Sequence, residues 1–237
     1  MSRFADKIKS KQPVTEADWN RYLVEAHKAA PGMTPAAFAP YKTHSGLTSY
    51  EILSQSIENL RNTESHVLDL ACGDGHLFPY LLKTLGPTGT VTGVDMSDTE
   101  LSIARGAYGN EKRVELHQAN AQALPMSDGS VDATVCHMAF MLMLPLDPVV
   151  SEISRVLKTG GTFSAVIGDT RGKSGLFGEI QKITSQFIVA RYEKFQNVPS
   201  GDSRVQSEAG IRDLFSPKNG FEDSVVISDF SLQVKTN

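Results

Sequence analysis

Cysteine and long apolar runs are both scarce in this chain of 237 residues, and each shortage excludes a class of protein. The two cysteines, Cys72 and Cys136, build no disulfide framework and match no zinc-site spacing, so we interpret both as small buried apolar residues. No stretch reaches the roughly 18 consecutive apolar residues of a membrane span, and no apolar signal core follows the basic N-terminal residues. We therefore expect a soluble, cytoplasmic protein.

Positive charge is also in short supply. The chain has 23 Lys and Arg against 27 Asp and Glu, a formal net charge of −4. This balance gives no excess of positive charge with which to bind nucleic acid or an anionic membrane surface. We expect a small-molecule substrate and no nucleic-acid partner.

One short segment carries the strongest functional signal in the chain. The apolar run Val67–Leu70 leads into a turn of small residues with glycines at Gly73 and Gly75, and the next apolar run ends at Asp95. Glycine lets a backbone approach a ligand closely, and an acid at the end of the second strand can accept hydrogen bonds from two ribose hydroxyls. The pattern predicts an adenosine derivative as ligand.

The phosphate-binding features of nucleotide sites are missing from this turn. The third position of a G-x-G-x-x-G pattern counted from Gly73 is Phe78, and the turn has neither a lysine nor a P-loop sequence. Asp69 and Asp74 instead bring negative charge, which suits a cationic ligand and repels a diphosphate.

Strand-like and helix-like segments alternate along the chain, which predicts an α/β fold with a mostly parallel, twisted, Rossmann-like sheet and helices on both faces. We expect an N-terminal helical cap over residues 1–62 and a core over 63–237, with a helical insertion at about 174–197 that either roofs the site or binds a partner. The capping patterns Thr15–Asp18, Thr48–Glu51 and Ser97–Glu100 predict helix starts. Strands are expected at about 66–70, 90–94, 113–117, 131–137, 162–167 and 224–230.

The C-terminal end of this pattern is short. After the expected sixth strand only residues 231–237 remain, too few to complete an antiparallel hairpin with a seventh strand. An unpaired sheet edge invites pairing with a second chain, so a homo-oligomer through this edge is a further expectation.

Several motifs in order resemble those of a known family. The turn resembles motif I of the class I S-adenosylmethionine-dependent methyltransferases, with Ala71 at the first glycine position. The segments 119–132 and 153–161 are similar to the "D-A-x-x-L-P-F-x-D-x-S-F-D" and "I-x-R-V-L-K-P-G-G" segments of the small-molecule branch related to the ubiquinone and menaquinone C-methyltransferases. The resemblance implies a Rossmann-like fold, S-adenosylmethionine as cofactor and methyl transfer to a small-molecule acceptor.

The resemblance also implies roles for individual residues. Asp69 would lie near the methionine amino group, Asp95 would hold the ribose, and Asn120 would accept from the adenine amino group where the family usually has Asp. Met96 would lie against the adenine or act as core filler. The complete set of implied cofactor contacts is Asp69, Ala71, Gly73, Asp95, Met96, Asn120, Ala121 and His137.

The catalytic residues are not determined by these motifs. A sulfonium methyl is already activated, so positioning is the main requirement, and a base helps where the acceptor carries a proton. His137 and His44 are the candidates, each with a purely structural role as the competing interpretation. Met138–Met143 would either adapt to the acceptor or pack in the core.

Two other interpretations stay open. One is a catalytically inactive cofactor-binding partner or regulatory subunit. The other is a different enzyme on the same framework, although aminopropyl transfer would need an acidic cluster after strand four, and Phe78 opposes a nicotinamide dehydrogenase.

Overall fold

The computed structural model describes residues 7, 10, 12, 14–168, 201–222 and 224–233. Five strands form one parallel sheet in the order β3-β2-β1-β4-β5. Their bounds are β1 His66–Leu70, β2 Thr90–Asp95, β3 Val114–Gln118, β4 Val131–His137 and β5 Leu157–Val166. The strand order reverses between β1 and β4, and ligands of such sheets bind beyond the carboxyl ends of the strands at this point.

Seven α-helices surround the sheet in the described parts of the chain. They are α1 Glu16–Ala29, α2 Met33–Phe38, α3 Ser49–Gln55, α4 Phe78–Leu85, α5 Asp98–Tyr108, α6 Leu146–Val156 and α7 Glu208–Leu214. The capping boxes at Thr15 and Thr48 are formed as the sequence predicts, because each hydroxyl accepts the N–H three residues on while Asp18 or Glu51 reaches back. None of these helices combines the length and apolar character needed to cross a bilayer.

Each face of the sheet has its own apolar core. One cluster packs α3, α4 and α5 against β1 and β2, with Ile57, Phe78, Leu81 and Leu101 fully buried. The other packs α6 and α7 against β1 and β4. Burial of both faces explains why the central strands β1 and β4 are buried along almost their whole length.

Phe78, the residue that breaks the dinucleotide pattern, is a packing residue between α4 and β2. A Cβ added to Gly93 would lie 2.5 Å from Cζ of Phe78, so the strand provides the space that this ring fills. The glycine needed for close helix–strand packing is therefore on β2 instead of α4.

Some predicted boundaries are wrong. β5 starts at Leu157, not Thr162, because Gly160 and Gly161 lie within the strand, where the pairing with β4 is irregular. Met33–Phe38 forms a short helix.

The predicted sixth strand at 224–230 is also wrong. Residues 224–230 form no strand, and Val226 is 88% exposed. Within the described residues this segment pairs with no other strand, and the antiparallel pairing near it is one isolated bridge, Lys42 with Gln233. The predicted insertion at 174–197 lies outside the described residues.

Candidate functional site

A carboxylate links the turns that follow β1 and β2. Asp95 Oδ2 accepts the backbone N–H of Gly73 at 2.9 Å, and Asp95 Oδ1 accepts that of Ser97 at 2.7 Å. Burial raises the pKa of Asp95, and these two hydrogen bonds act in the opposite direction. Each oxygen keeps a second lone pair for a ligand hydroxyl.

Beside this carboxylate lies an apolar cavity of about 700 Å³, including its opening to solvent, which we name the Met96 cavity. Its walls come from α1, from the ends of β1 and β2, and from the loops after β3 and β4. Its lining residues include Asn20, His27, Ala71, Asp95, Met96, Asn120, Ala121 and Leu142.

A second cavity, the His137 cavity, adjoins the first and occupies about 600 Å³. Ala71, Asp95, His27, Ala139 and Leu142 line both cavities. The second cavity is more polar, and its further lining includes Tyr50, Asp69, Gly73, Asp74, His76 and His137. A ligand with an apolar end and a charged end can therefore lie across both.

Negative charge dominates the His137 cavity. Asp69 is 1% exposed and its Oδ2 has no hydrogen-bond partner. Burial raises the pKa of Asp69 well above its usual value, and the neighbouring Asp95 and Asp74 raise it further. Among the described residues neither cavity is lined by Lys or Arg, so the site favours a cation and disfavours a phosphate.

Aromatic and imidazole rings form the opposite wall. The Tyr50 ring stacks on His137 with centroids 3.8 Å apart and meets His76 edge-on at 4.7 Å. His137 Nε2 lies 2.9 Å from the hydroxyl of Ser49. Burial, and secondarily His76, lower the pKa of His137 to about 4, so this imidazole is neutral at physiological pH.

The N-terminal helices are fastened to the core beside these cavities. Trp19 Nε1 donates to the carbonyl of Leu142, and His27 Nδ1 lies 2.9 Å from Oε1 of the buried Glu100. The N–H of Gly32 donates to both oxygens of the same carboxylate. The sequence predicted that Glu100 would complete a capping box with Ser97; Ser97 caps α5, but the Glu100 side chain binds the N-terminal segment instead.

The structure brings most of the predicted site residues together. Ala71, Asp95, Met96, Asn120 and Ala121 line the Met96 cavity, and Asp69, Gly73 and His137 line the His137 cavity. Asn120 Oδ1 already accepts the N–H of Gln122 at 3.1 Å and keeps one further lone pair.

His44 is not part of this assembly. It is exposed and contacts the side-chain amide of Gln233, and it lines neither cavity.

Sequence reasoning missed His27, Tyr50 and His76 as site residues. His76 directly follows the glycine turn, so its place next to the motif was an available signal. His27 and Tyr50 reach the site only through the packing of α1 and α3, which no local pattern indicates.

Comparison with known proteins agrees with this geometry. Residues 68–165 match the family described as "Methyltransferase domain". A demethylmenaquinone methyltransferase of Lactococcus lactis is 39% identical over 97 residues, which are 40% of this chain and 38% of that protein. The Staphylococcus aureus protein of the same name is 34% identical over 94 residues, 40% of this chain and 39% of its own length. The chain thus spans about two fifths of these relatives.

A solved structure supports the fold. The Bacillus subtilis YcgJ protein superimposes with a TM-score of 0.51 at 22% identity, covering 70% of this chain and 66% of that one. Over its matched segment the chain is therefore similar to the class I S-adenosylmethionine-dependent methyltransferases, and in particular to the quinone methyltransferases.

Proposed function

We propose that this protein transfers a methyl group from S-adenosylmethionine to a small-molecule acceptor. The observation that carries the proposal is the arrangement of Gly73, Asp95 and Asp69. Asp95 accepts the N–H of Gly73, and the neighbouring buried Asp69 has one oxygen, Oδ2, without a hydrogen-bond partner. The match of residues 68–165 to the methyltransferase-domain family supports it independently.

The residues present fit this cofactor. Asp95 would accept from the ribose hydroxyls, Met96 and Ala121 would lie beside the adenine, and Asn120 would accept from its amino group. Asp69 would hold the cationic amino group, since a buried carboxylate without a partner is costly and a cation relieves that cost. Ala71 and Gly73 would contact the part between the two ends, and the backbone of His137 would face the methionine part.

When bound, the cofactor supplies a methyl group on a positively charged sulfur. The protein has to hold the acceptor atom at about 3–3.5 Å from that methyl group and keep water out. α1 covers one side of the Met96 cavity, and the loop after β4, with Ala139 and Leu142, lines both cavities. These elements would provide the exclusion and the orientation.

A small molecule suits the acceptor better than a nucleic acid. The net charge is −4, and the described lining of the site has no Lys or Arg to contact phosphates. The relatives are named for demethylmenaquinone, and we propose a small organic acceptor for this chain without narrowing it to a quinone.

Calorimetric titration of the purified protein tests the proposal. We expect binding of S-adenosylmethionine and S-adenosylhomocysteine but not of NAD or ATP, because the site lacks phosphate-binding groups. Tight binding of NAD or ATP, or no binding of either sulfur compound, contradicts it. Cofactor binding without formation of S-adenosylhomocysteine over a broad acceptor panel would favour the inactive-partner alternative.

We propose further that residues 1–62 act as a cap on the core of 63–237 and that the chain self-associates along the sheet edge. In the described residues β5 pairs with β4 alone, which supports an available edge. Light scattering at increasing protein concentration measures the mass, and a constant monomer mass contradicts the self-association.

A further inference from the structure

Four buried polar atoms that have no hydrogen-bond partner belong to residues that line the His137 cavity. They are the Tyr50 hydroxyl, Asp69 Oδ2, His76 Nε2 and His137 Nδ1. Tyr50 is 3% exposed and His137 is 7% exposed. Because buried polar atoms are nearly always paired, a cluster of unpaired ones on a cavity wall indicates a bound molecule that supplies their partners.

The cofactor would account for only one of these atoms, because Asp69 suits its cationic amino group. The Tyr50 hydroxyl can donate and accept a hydrogen bond, and each of the two imidazole nitrogens can do one or the other according to its tautomer. They match an uncharged molecule with hydroxyl or N–H groups better than a carboxylate or a phosphate.

His137 is held more rigidly than the other two. Ser49, which is completely buried in the first turn of α3, binds Nε2, and the Tyr50 ring covers one face of the imidazole. These contacts direct Nδ1 away from α3. If Nε2 carries the proton and donates to Ser49, Nδ1 keeps a lone pair without a partner on a residue that lines the cavity.

We propose that His137 is the catalytic base for the methyl acceptor, that Ser49 is its positioning residue, and that Tyr50 and His76 bind an uncharged, protic acceptor. This rests on the proposed methyl transfer. The acceptor's X–H bond breaks and its proton goes to Nδ1 of His137. The X electron pair forms the bond to the methyl carbon, and the C–S pair stays on sulfur, which becomes a neutral thioether.

The low pKa of His137 agrees with this role. The imidazole stays unprotonated across physiological pH and is always available to accept a proton. A weak base is sufficient, because a hydroxyl becomes strongly acidic as its oxygen bonds to the methyl carbon.

Nitrogen NMR of the ¹⁵N-histidine-labelled full-length protein tests the proposal directly, with His137→Gln identifying the resonance. We expect a neutral His137 from pH 6 to pH 9 whose proton is on Nε2. In Ser49→Ala the ratio of the two tautomers should shift by about 2- to 10-fold, the range that loss of one neutral hydrogen bond produces. Ser49→Thr should restore the ratio.

Ser54→Ala is the matched control, because Ser54 is buried on the same helix but donates only to the carbonyl of Glu51. It should leave the tautomer ratio unchanged. A proton on Nδ1, a charged ring at pH 7, or equal shifts in Ser49→Ala and Ser54→Ala overturns the proposal. Calorimetry with S-adenosylmethionine on the same samples separates the proposed methyl transfer from the proposed role of His137. If the wild type does not bind S-adenosylmethionine, the methyl-transfer proposal fails whatever the NMR result.

Discussion

The carboxylate of Asp95 holds the N–H of Gly73 at 2.9 Å, so the acid expected to bind a ribose also fixes the turn beneath the ligand. In the proposed function, one side chain would therefore both shape the turn and recognise the sugar of the cofactor. Because the two residues contact each other, the effects of mutating each of them can be distinguished only with matched control variants.

Asp95→Ala should weaken S-adenosylmethionine binding by about 10- to 100-fold, since it removes a charged acceptor from two hydroxyls and from the Gly73 N–H. Calorimetry measures the change. Asp98→Ala is the control, because Asp98 is an exposed acid three residues away whose ion pair with Arg105 is on the surface. Equal affinities in the two variants would remove Asp95 from the site.

Gly73→Ala should impair binding more than stability. Gly73 has φ +55°, so alanine would strain the backbone by about 1–2 kcal/mol, and its methyl group would project into open space beside the ligand. Gly129→Ala imposes the same strain at φ +56° outside both cavities. Urea unfolding should show similar losses for both variants, while titration should show reduced affinity for Gly73→Ala alone. Matched affinities would mean that the turn does not contact the ligand.

The pair of His27 and Glu100 should make stability depend on pH. The hydrogen bond and charge of Glu100 raise the pKa of His27 above its ordinary value of 6.5. A raised folded-state pKa stabilises the fold fully below pH 6.5, and this contribution disappears as the pH rises through the raised value.

The stability of the wild type should therefore fall between pH 6 and pH 8 as the pair loses its charge. In His27→Gln this fall should be smaller, because the pair is absent. Thermal unfolding of both proteins across this range gives the difference. His117→Gln is the control, because His117 pairs with the largely exposed Glu115 on β3. The same pH slope in the wild type and in His27→Gln would contradict the assignment.

Arg155→Ala should destabilise the protein by about 2–4 kcal/mol. Arg155 donates to the carbonyls of Leu124 and Met126 and pairs with Glu152 and Asp128, so it ties the loop after β3 to α6. Chemical denaturation measures the loss. Arg105→Ala, which removes an exposed ion pair, should cost under about 1 kcal/mol. A comparable loss in both variants would show that the loop is held by other contacts.

The sequence was sufficient for the parts of the fold that depend on local signals. Apolar runs predicted β1 and β4 at their observed positions, and the Thr15 and Thr48 boxes predicted helix starts, because strand burial and capping are properties of neighbouring residues. The extended start of β5 was missed because adjacent glycines usually end an element, whereas here they lie in an irregular pairing.

The candidate site also has residues that local sequence signals predict and residues that depend on tertiary packing. Gly73 and Asp95 were identifiable because each follows an apolar run, and parallel strands bring such ends together. Tyr50 and His27 were not, since their positions depend on how α3 and α1 pack on a sheet that begins later in the chain. Glu100 shows the same limit: its capping pattern was recognised, but its partner 73 residues away was not.

Trp19 and Asn20 attach α1 to the loop after β4, and the same helix forms a wall of the Met96 cavity. If the ligand of the proposed function passes between α1 and this loop, these hydrogen bonds have to open for it to enter and again for it to leave. Trp19→Phe, which removes one of these hydrogen bonds, should then accelerate the entry and the exit of the ligand alike while the equilibrium affinity changes little.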